Sequence, residues 1–295
     1  RFLCALRPVR NGQANAADVF WRLTAGSEEP HRVRVIRAAI RIVALIIATV
    51  FFQTTWLVGK QLLPGTSRMR RWLRKSILVY WAKSLAMILG LRIKIEGVQP
   101  RPPFFLVANH LSYIDIITLA SHLDCVFVAK GEIADWPAMG WLASGIGTIF
   151  IDRKNFQDIP RVIGLINKSL DGGVGVVLFP EGTSTMGNGT RPFSPALLEP
   201  AARAGYPVSY AAISYRTPED EPPAHIAACW WGDMEFAPHL LKLLLVSSFD
   251  VTVVYGEDAI QADDRKVLAK SLWQAVNERF IPVIEQSSSI QAKKL

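Results

Sequence analysis

The sequence holds only three cysteines, Cys4, Cys125 and Cys229, and no C-x-x-C pair. That shortage disfavours a disulfide framework and a zinc site, and it suits a catalytic domain in a reducing, cytosol-facing setting. No G-x-S-x-G run is present, so a strand-mounted serine nucleophile has no sequence support. P-loop, zinc-finger and RNA-recognition signatures are missing too, and no repeat of fixed period runs along the chain. Acidic residues are scarce at one end: positions 1–110 carry 4 Asp/Glu against 18 Lys/Arg, and the rest carries 21 against 15.

A basic first third suits nucleic acid or anionic lipid, and its neighbours decide between them. Residues 42–59 are an uncharged, largely apolar run of 18, with Arg32, Arg34, Arg37 and Arg41 before it and Lys60, Arg68, Arg70, Arg71, Arg74 and Lys75 after it. Basic residues bracketing a stretch of nearly bilayer length point to lipid headgroups and away from nucleic acid. About 20 apolar residues are needed to cross hydrocarbon, so a single span and a helical hairpin held in one leaflet both remain open. The hairpin's second member is residues 69–89, where Trp72, Ile77, Leu78, Trp81, Leu85 and Leu89 recur at helical spacing.

Beyond Arg92 the pattern becomes short β-rich runs alternating with helical stretches, which predicts an α/β fold with a mixed sheet flanked by helices. Strands are expected at 92–95, 104–108, 125–129, 148–151, 175–179, 208–214, 226–230 and 250–254. Amphipathic helices are expected around Phe156 to Leu170 and Val267 to Phe280. The resulting organisation is a loosely ordered lead segment (1–31) without a signal-peptide pattern, a membrane-associated helical segment (32–91), an α/β domain (92–286) and a polar tail (287–295).

Chemistry concentrates in three runs. In VANHLSYID a β-rich run ends at Ala108, and Ser112-x-x-Asp115 offers a helix start, which lands His110 at a strand-to-helix turn. Such turns at the carboxyl ends of sheet strands face the crevice where α/β folds bind ligands. Imidazole titrates near neutrality and suits removal of a hydroxyl proton; Asp115, about one helical turn on, can hold its other nitrogen and offset its developing charge. Ser112 lies within one turn of His110, where a productive Ser-to-His hydrogen bond is awkward, so it does not read as a nucleophile. GIGTIFIDR leaves Arg153 at a strand end with a planar fork suited to phosphate oxygens. In VVLFPEGTST, Pro180 stops strand pairing, Gly182 allows close backbone approach, and Thr183 and Ser184 add hydroxyl donors. Glu181 is expected to receive an acceptor hydroxyl or to fix Arg153.

These runs resemble the glycerolipid acyltransferases, the PlsC-like lysophosphatidate family. NHLSYID is similar to its NHxSxxD block, GIGTIFIDR to its second block, FPEGT to its third and GYPVSYAAIS to its proline-containing fourth; AKGE with the later WP and GW resembles the intervening segment. The resemblance implies a glycerol-3-phosphate acyltransferase-like fold, with His110 and Asp115 as the catalytic pair. It places Arg153, Glu181, Gly182, Thr183 and Lys130 about the substrates, with Asn109 and Ser112 orienting the first block. The implied reaction moves a fatty acyl group from acyl-CoA or acyl carrier protein to 1-acylglycerol 3-phosphate, giving phosphatidate, without cofactor or metal. The implied setting is a membrane, the inner one in a bacterium, with the catalytic domain facing the cytoplasm. One departure bears on the headgroup: Ser184 stands where the family's third block often carries Arg. FPEGTST with the later WWGDMEFAPHL resembles the lyso-ornithine lipid branch, which makes that lipid, or another lysophospholipid, the alternative acceptor. A non-catalytic lipid-binding protein is the alternative of another class.

Overall fold

A computed structural model of the chain describes residues 29–64, 68–136, 139–152 and 158–284. Apart from its last three residues, the expected lead segment lies outside this set, as do the expected tail and Arg153.

Two long helices come first, α1 (His31–Leu62) and α2 (Arg68–Leu89). They pack antiparallel: Trp81 Nε1 donates to Thr49 Oγ1 at 3.3 Å, and Arg70 lies 5.9 Å from the Trp56 ring centroid. The hairpin closes because Gly59 carries no Cβ where the Leu73 side chain sits. By length and composition α1 is able to cross a membrane. Its base, however, is bound to the α/β domain at both ends. Leu85, Ala86 and Leu89 of α2 are buried just before β1 begins at Leu91, and the first three turns of α1 reach the domain through arginines.

Those arginines correct the sequence reading of the basic flank. Arg34 is buried against Glu221 at 2.9 Å. Arg41 donates to the carbonyls of Leu244, Val246 and Ser247, and Arg37 donates to Leu245 O at 3.0 Å. Arg37 and Arg41 thus meet the carboxyl end of the helix Phe236–Leu245, whose last carbonyls lack helical partners and carry the negative end of its dipole. Three of the four arginines before the apolar run therefore bind protein. Arg68, Arg71 and Lys75, near the far end of the hairpin, are exposed.

Seven strands form one mixed sheet in the order β1-β7-β6-β2-β5-β3-β4. These are β1 (Leu91–Glu96), β2 (Phe105–Ala108), β3 (Cys125–Lys130), β4 (Ile149–Ile151), β5 (Gly175–Leu178), β6 (Val208–Arg216) and β7 (Phe249–Tyr255). All pairings are parallel except β6 with β7. Helices cover the faces: α3 (Ile114–Ala120), α4 (Met139–Gly145), α5 (Ile159–Asp171), α6 (Glu199–Ala204), α7 (Ala224–Ala227), α8 (Phe236–Leu245) and α9 (Arg265–Arg279). The central strands FLVA and GVVL are buried at every residue, as expected of parallel strands covered on both sides. β7 alternates buried and half-buried positions.

One expected strand is absent. Residues 226–230 start inside α7 and continue as a loop. Pro222 and Pro223 stop extended pairing upstream, Pro223 caps α7, and the apolar run is buried by helix and loop packing.

The register places the site. β2 ends at Ala108, paired with Ala211, whereas β6 runs five residues further to Arg216. Ile213 and Tyr215 therefore stand beside the turn by which the chain leaves β2. β5, on the other side of β2, delivers Phe179 and the loop after it.

Candidate active site

The turn after β2 is pinned from both neighbouring strands. Asn109 is buried, donating its amide to Ile213 O at 2.9 Å and accepting from Ile213 N at 2.7 Å. Its place is thus that of a brace between β2 and β6. On the other side, Thr185 N donates to His110 O at 2.9 Å, tying the loop after β5 to the same turn.

His110 Nδ1 lies 2.7 Å from Asp115 Oδ2. The same oxygen accepts the backbone amides of Leu111 at 2.7 Å and Ser112 at 3.1 Å. This is the acidic half of the expected helix start, with the carboxylate reaching back to the amide of Ser112. The other half does not form: Ser112 Oγ is buried without a hydrogen-bond partner. A carboxylate oxygen facing Nδ1 favours the tautomer with hydrogen on that nitrogen, leaving Nε2 as the basic nitrogen. The imidazole stacks on Phe179, with centroids 4.3 Å apart and planes 16° apart. Its side chain is 19 % exposed while Asp115 is 0 % exposed, so the imidazole meets solvent and its partner does not.

Asp115 has one more partner that sequence reading missed. Tyr215, buried on β6, donates its hydroxyl to Asp115 Oδ1. Burial, reinforced by the Asp115 charge, pushes its phenol well above the ordinary range, so it remains a donor. The strand expected at 208–214 stops one residue short of Tyr215, and nothing local shows a contact made across 100 residues.

The loop after β5 carries the remaining expected residues. Gly182 adopts φ +79°, a conformation open to glycine, and its amide donates to Phe179 O at 3.2 Å. Thr183 is exposed. Glu181 turns inward: its carboxylate faces the backbone amides of His110 and Arg191 without good hydrogen-bond geometry to either. Burial pushes its pKa up to about 8. A carboxyl so placed is mostly protonated at neutral pH, which differs from the charged partner expected of it. Lys130, the last residue of β3, is half-exposed and pairs with Glu132 at 3.0 Å. Where Ser184 replaces a family arginine, Arg203 is already held by Glu199 at 2.5 Å, and the Arg191 side chain is exposed.

A second aromatic layer borders the turn. Tyr113 packs on Phe236, with centroids 5.0 Å apart, and on Trp230 at 6.0 Å. Its hydroxyl donates to His239 Nδ1 at 3.1 Å, and His239 Nε2 donates to Cys229 O at 2.9 Å. The WWGDMEFAPHL segment is therefore built against the His110 turn, and His239 is used up in holding it.

A histidine with one nitrogen fixed and the other toward solvent can take a proton from a bound alcohol. Among the described residues no His/Cys/Asp/Glu group of three or more could hold a metal ion.

Comparison with known proteins gives the same direction. Residues 92–214 match the family model described as Acyltransferase. The chain is 32% identical to the lyso-ornithine lipid O-acyltransferase of Rhizobium meliloti over 276 residues, covering 89% of this chain and 90% of that one. It is 29% identical to the 1-acyl-sn-glycerol-3-phosphate acyltransferase of Neisseria meningitidis, covering 64% of this chain and 76% of the other. The fold is similar to the crystal structure of PlsC from Thermotoga maritima, with TM-score 0.59, 19% identity and coverage of 83% of this chain and 97% of that one.

Proposed function

Because this chain belongs to the acyltransferase family, we propose that it transfers a fatty acyl group from acyl-CoA or acyl carrier protein to the free hydroxyl of lyso-ornithine lipid. The observation carrying the chemistry is the His110–Asp115 contact at 2.7 Å, on a turn braced from both adjacent strands. In this reading His110 Nε2 takes the hydroxyl proton as the acceptor oxygen bonds to the thioester carbonyl carbon. The tetrahedral adduct collapses with loss of the carbon–sulfur bond, and the imidazolium returns its proton to the departing thiolate. Asp115 stays ionised and holds the ring. Ser112 takes no part, in keeping with a hydroxyl buried away from the imidazole.

Two observations support this acceptor over 1-acylglycerol 3-phosphate, which the sequence motifs put first. Ser184 removes a cation that a phosphate headgroup would use, and the lyso-ornithine lipid relative aligns over more of the chain. Lysophosphatidate is the second reading, favoured by the Neisseria relative. Membrane association belongs to the same proposal. The outer side of α1 exposes Ile36, Ile40, Val43, Ile47, Phe51 and Val58, a stripe suited to hydrocarbon. Since both ends of the hairpin base bind one domain, a hairpin held in one leaflet fits better than a single span.

Purified protein in detergent, given each acceptor with labelled acyl-CoA or acyl carrier protein, tests the assignment. Turnover of lyso-ornithine lipid is expected, and His110→Ala lowers it by about 10²-fold or more, the range for losing a positioned base. Turnover of lysophosphatidate alone overturns the acceptor; a His110→Ala protein of parental activity overturns the mechanism.

A further inference from the structure

The geometry points to Tyr215 as a positioning residue for the catalytic pair: its hydroxyl binds the far oxygen of Asp115 and thereby sets both the aim and the basicity of His110. This rests on the reading of His110 as base and Asp115 as its partner.

The two carboxylate oxygens are used differently. Oδ2 receives the imidazole and two backbone amides. For Oδ1 the only donor among the described residues is the Tyr215 hydroxyl. Asp115 is fully buried, so no water replaces that donor in the packed turn. With Tyr215 in place, the carboxylate is held at both oxygens and its plane cannot turn. Part of its charge is also drawn toward Oδ1, which weakens its hold on an imidazolium at Oδ2.

β6 makes this possible by outrunning β2, and it supplies both braces: Ile213 takes Asn109 through the backbone, and two residues on Tyr215 takes Asp115 through its side chain. The ring itself is fixed against Phe249, with centroids 6.0 Å apart. The other ionisable groups acting on this carboxylate are His110 on its own turn, Glu181 from the loop after β5 and Cys229 from the loop after α7; Tyr113 faces Tyr215. Cys229 is held neutral by burial. Glu181 ionises only toward pH 8, on the alkaline side of the profile.

The test is Tyr215→Phe, which keeps the buried ring and removes only the donor. Its kcat is expected to fall about tenfold to a hundredfold with little change in KM, the size of losing a hydrogen bond to a charged group. The acid limb of kcat/KM moves to higher pH by about half a unit or more, because the unshared carboxylate favours the imidazolium. Replacing Tyr215 by 3-fluorotyrosine, a stronger donor, keeps kcat near the parent and moves the limb the opposite way. A Tyr215→Phe enzyme whose acid limb stays in place, whatever its activity or thermal stability, overturns the inference and leaves Tyr215 as core packing. His110→Ala assayed alongside separates the layers: if it stays active the base assignment falls, whereas an inactive His110→Ala beside an unshifted Tyr215→Phe sinks the positioning role alone.

Discussion

Replacing Arg34 by methionine tests how the hairpin is joined to the catalytic domain. Arg34 and Glu221 have side chains 2% and 1% exposed and meet at 2.9 Å. Glu221 also accepts Ser247 N at 2.7 Å, and Arg34 Nε lies 3.6 Å from Glu29. Methionine fills much of the volume but leaves a buried carboxylate whose charge is met by one amide. Breaking such a pair costs about 3–5 kcal/mol. For a domain of this size that lowers the unfolding midpoint by roughly 10 °C. Adding Glu221→Gln removes the orphaned charge and keeps an acceptor for Ser247 N. The double variant is therefore expected to recover ~2 kcal/mol relative to Arg34→Met alone, a coupling within the range for contacting residues. Thermal unfolding of the detergent-solubilised protein, followed by tryptophan fluorescence, reads both numbers. An Arg34→Met loss below ~1 kcal/mol, or a double variant no more stable than the single one, would refute the account of a buried latch.

Three further outcomes follow from other parts of the molecule. Glu181 has a folded pKa near 8, raised by burial from 4.5; the folded state therefore holds a proton that the unfolded state releases between these values. Stability should be greatest below about pH 4.5 as far as this group is concerned and should decline as pH rises toward 8, by about 4–5 kcal/mol. Urea midpoints across that window should flatten in Glu181→Gln. Gly97 sits at φ +77°, and a Cβ there would fall 2.2 Å from Tyr255 O. Gly97→Ala is expected to cost at least ~2 kcal/mol in urea unfolding, since strain and backbone clash combine. On α1, Ile40 and Ile47 are 64% and 63% exposed. Aspartate at both should leave the soluble fold intact while reducing co-sedimentation with lipid vesicles at least tenfold, as buried charge in hydrocarbon is costly; undiminished binding would remove the stripe from the membrane contact.

Much of this molecule is written locally, and that part was readable. Seven strands fall where β-rich runs predict them, because a strand buried on both faces is a compact apolar word such as FLVA or GVVL. The His110–Asp115 contact was legible for the same reason, since both residues lie on one turn. What stayed hidden depends on distant partners. Arg34, Arg37 and Arg41 looked like a headgroup-facing flank because charge beside an apolar run gives no hint of Glu221, 187 residues on from Arg34, or of the α8 carboxyl end, more than 200 residues on from the other two. The run at 226–230 has strand composition, yet the two prolines ahead of it and the helix they start decide its shape. Tyr215 lies one residue beyond the strand expected at 208–214, and only the greater length of β6 over β2 gives it a role. On the proposed function the headgroup is the hardest to read, since the sequence offers only the replacement at Ser184 and the run after α7 to decide it.

The arginine contacts at the start of α1 have a consequence for how substrate is found. The stripe exposed along α1 continues over the same turns that grip α8. In the proposed membrane-bound state, a helix lying on the bilayer while gripping α8 would keep the sheet edge from swivelling and hold the imidazole at one height. On that reading, encounter with the acceptor would be a two-dimensional search, in which lateral drift within one leaflet brings the hydroxyl to His110 and carries the diacylated product away without a passage through water.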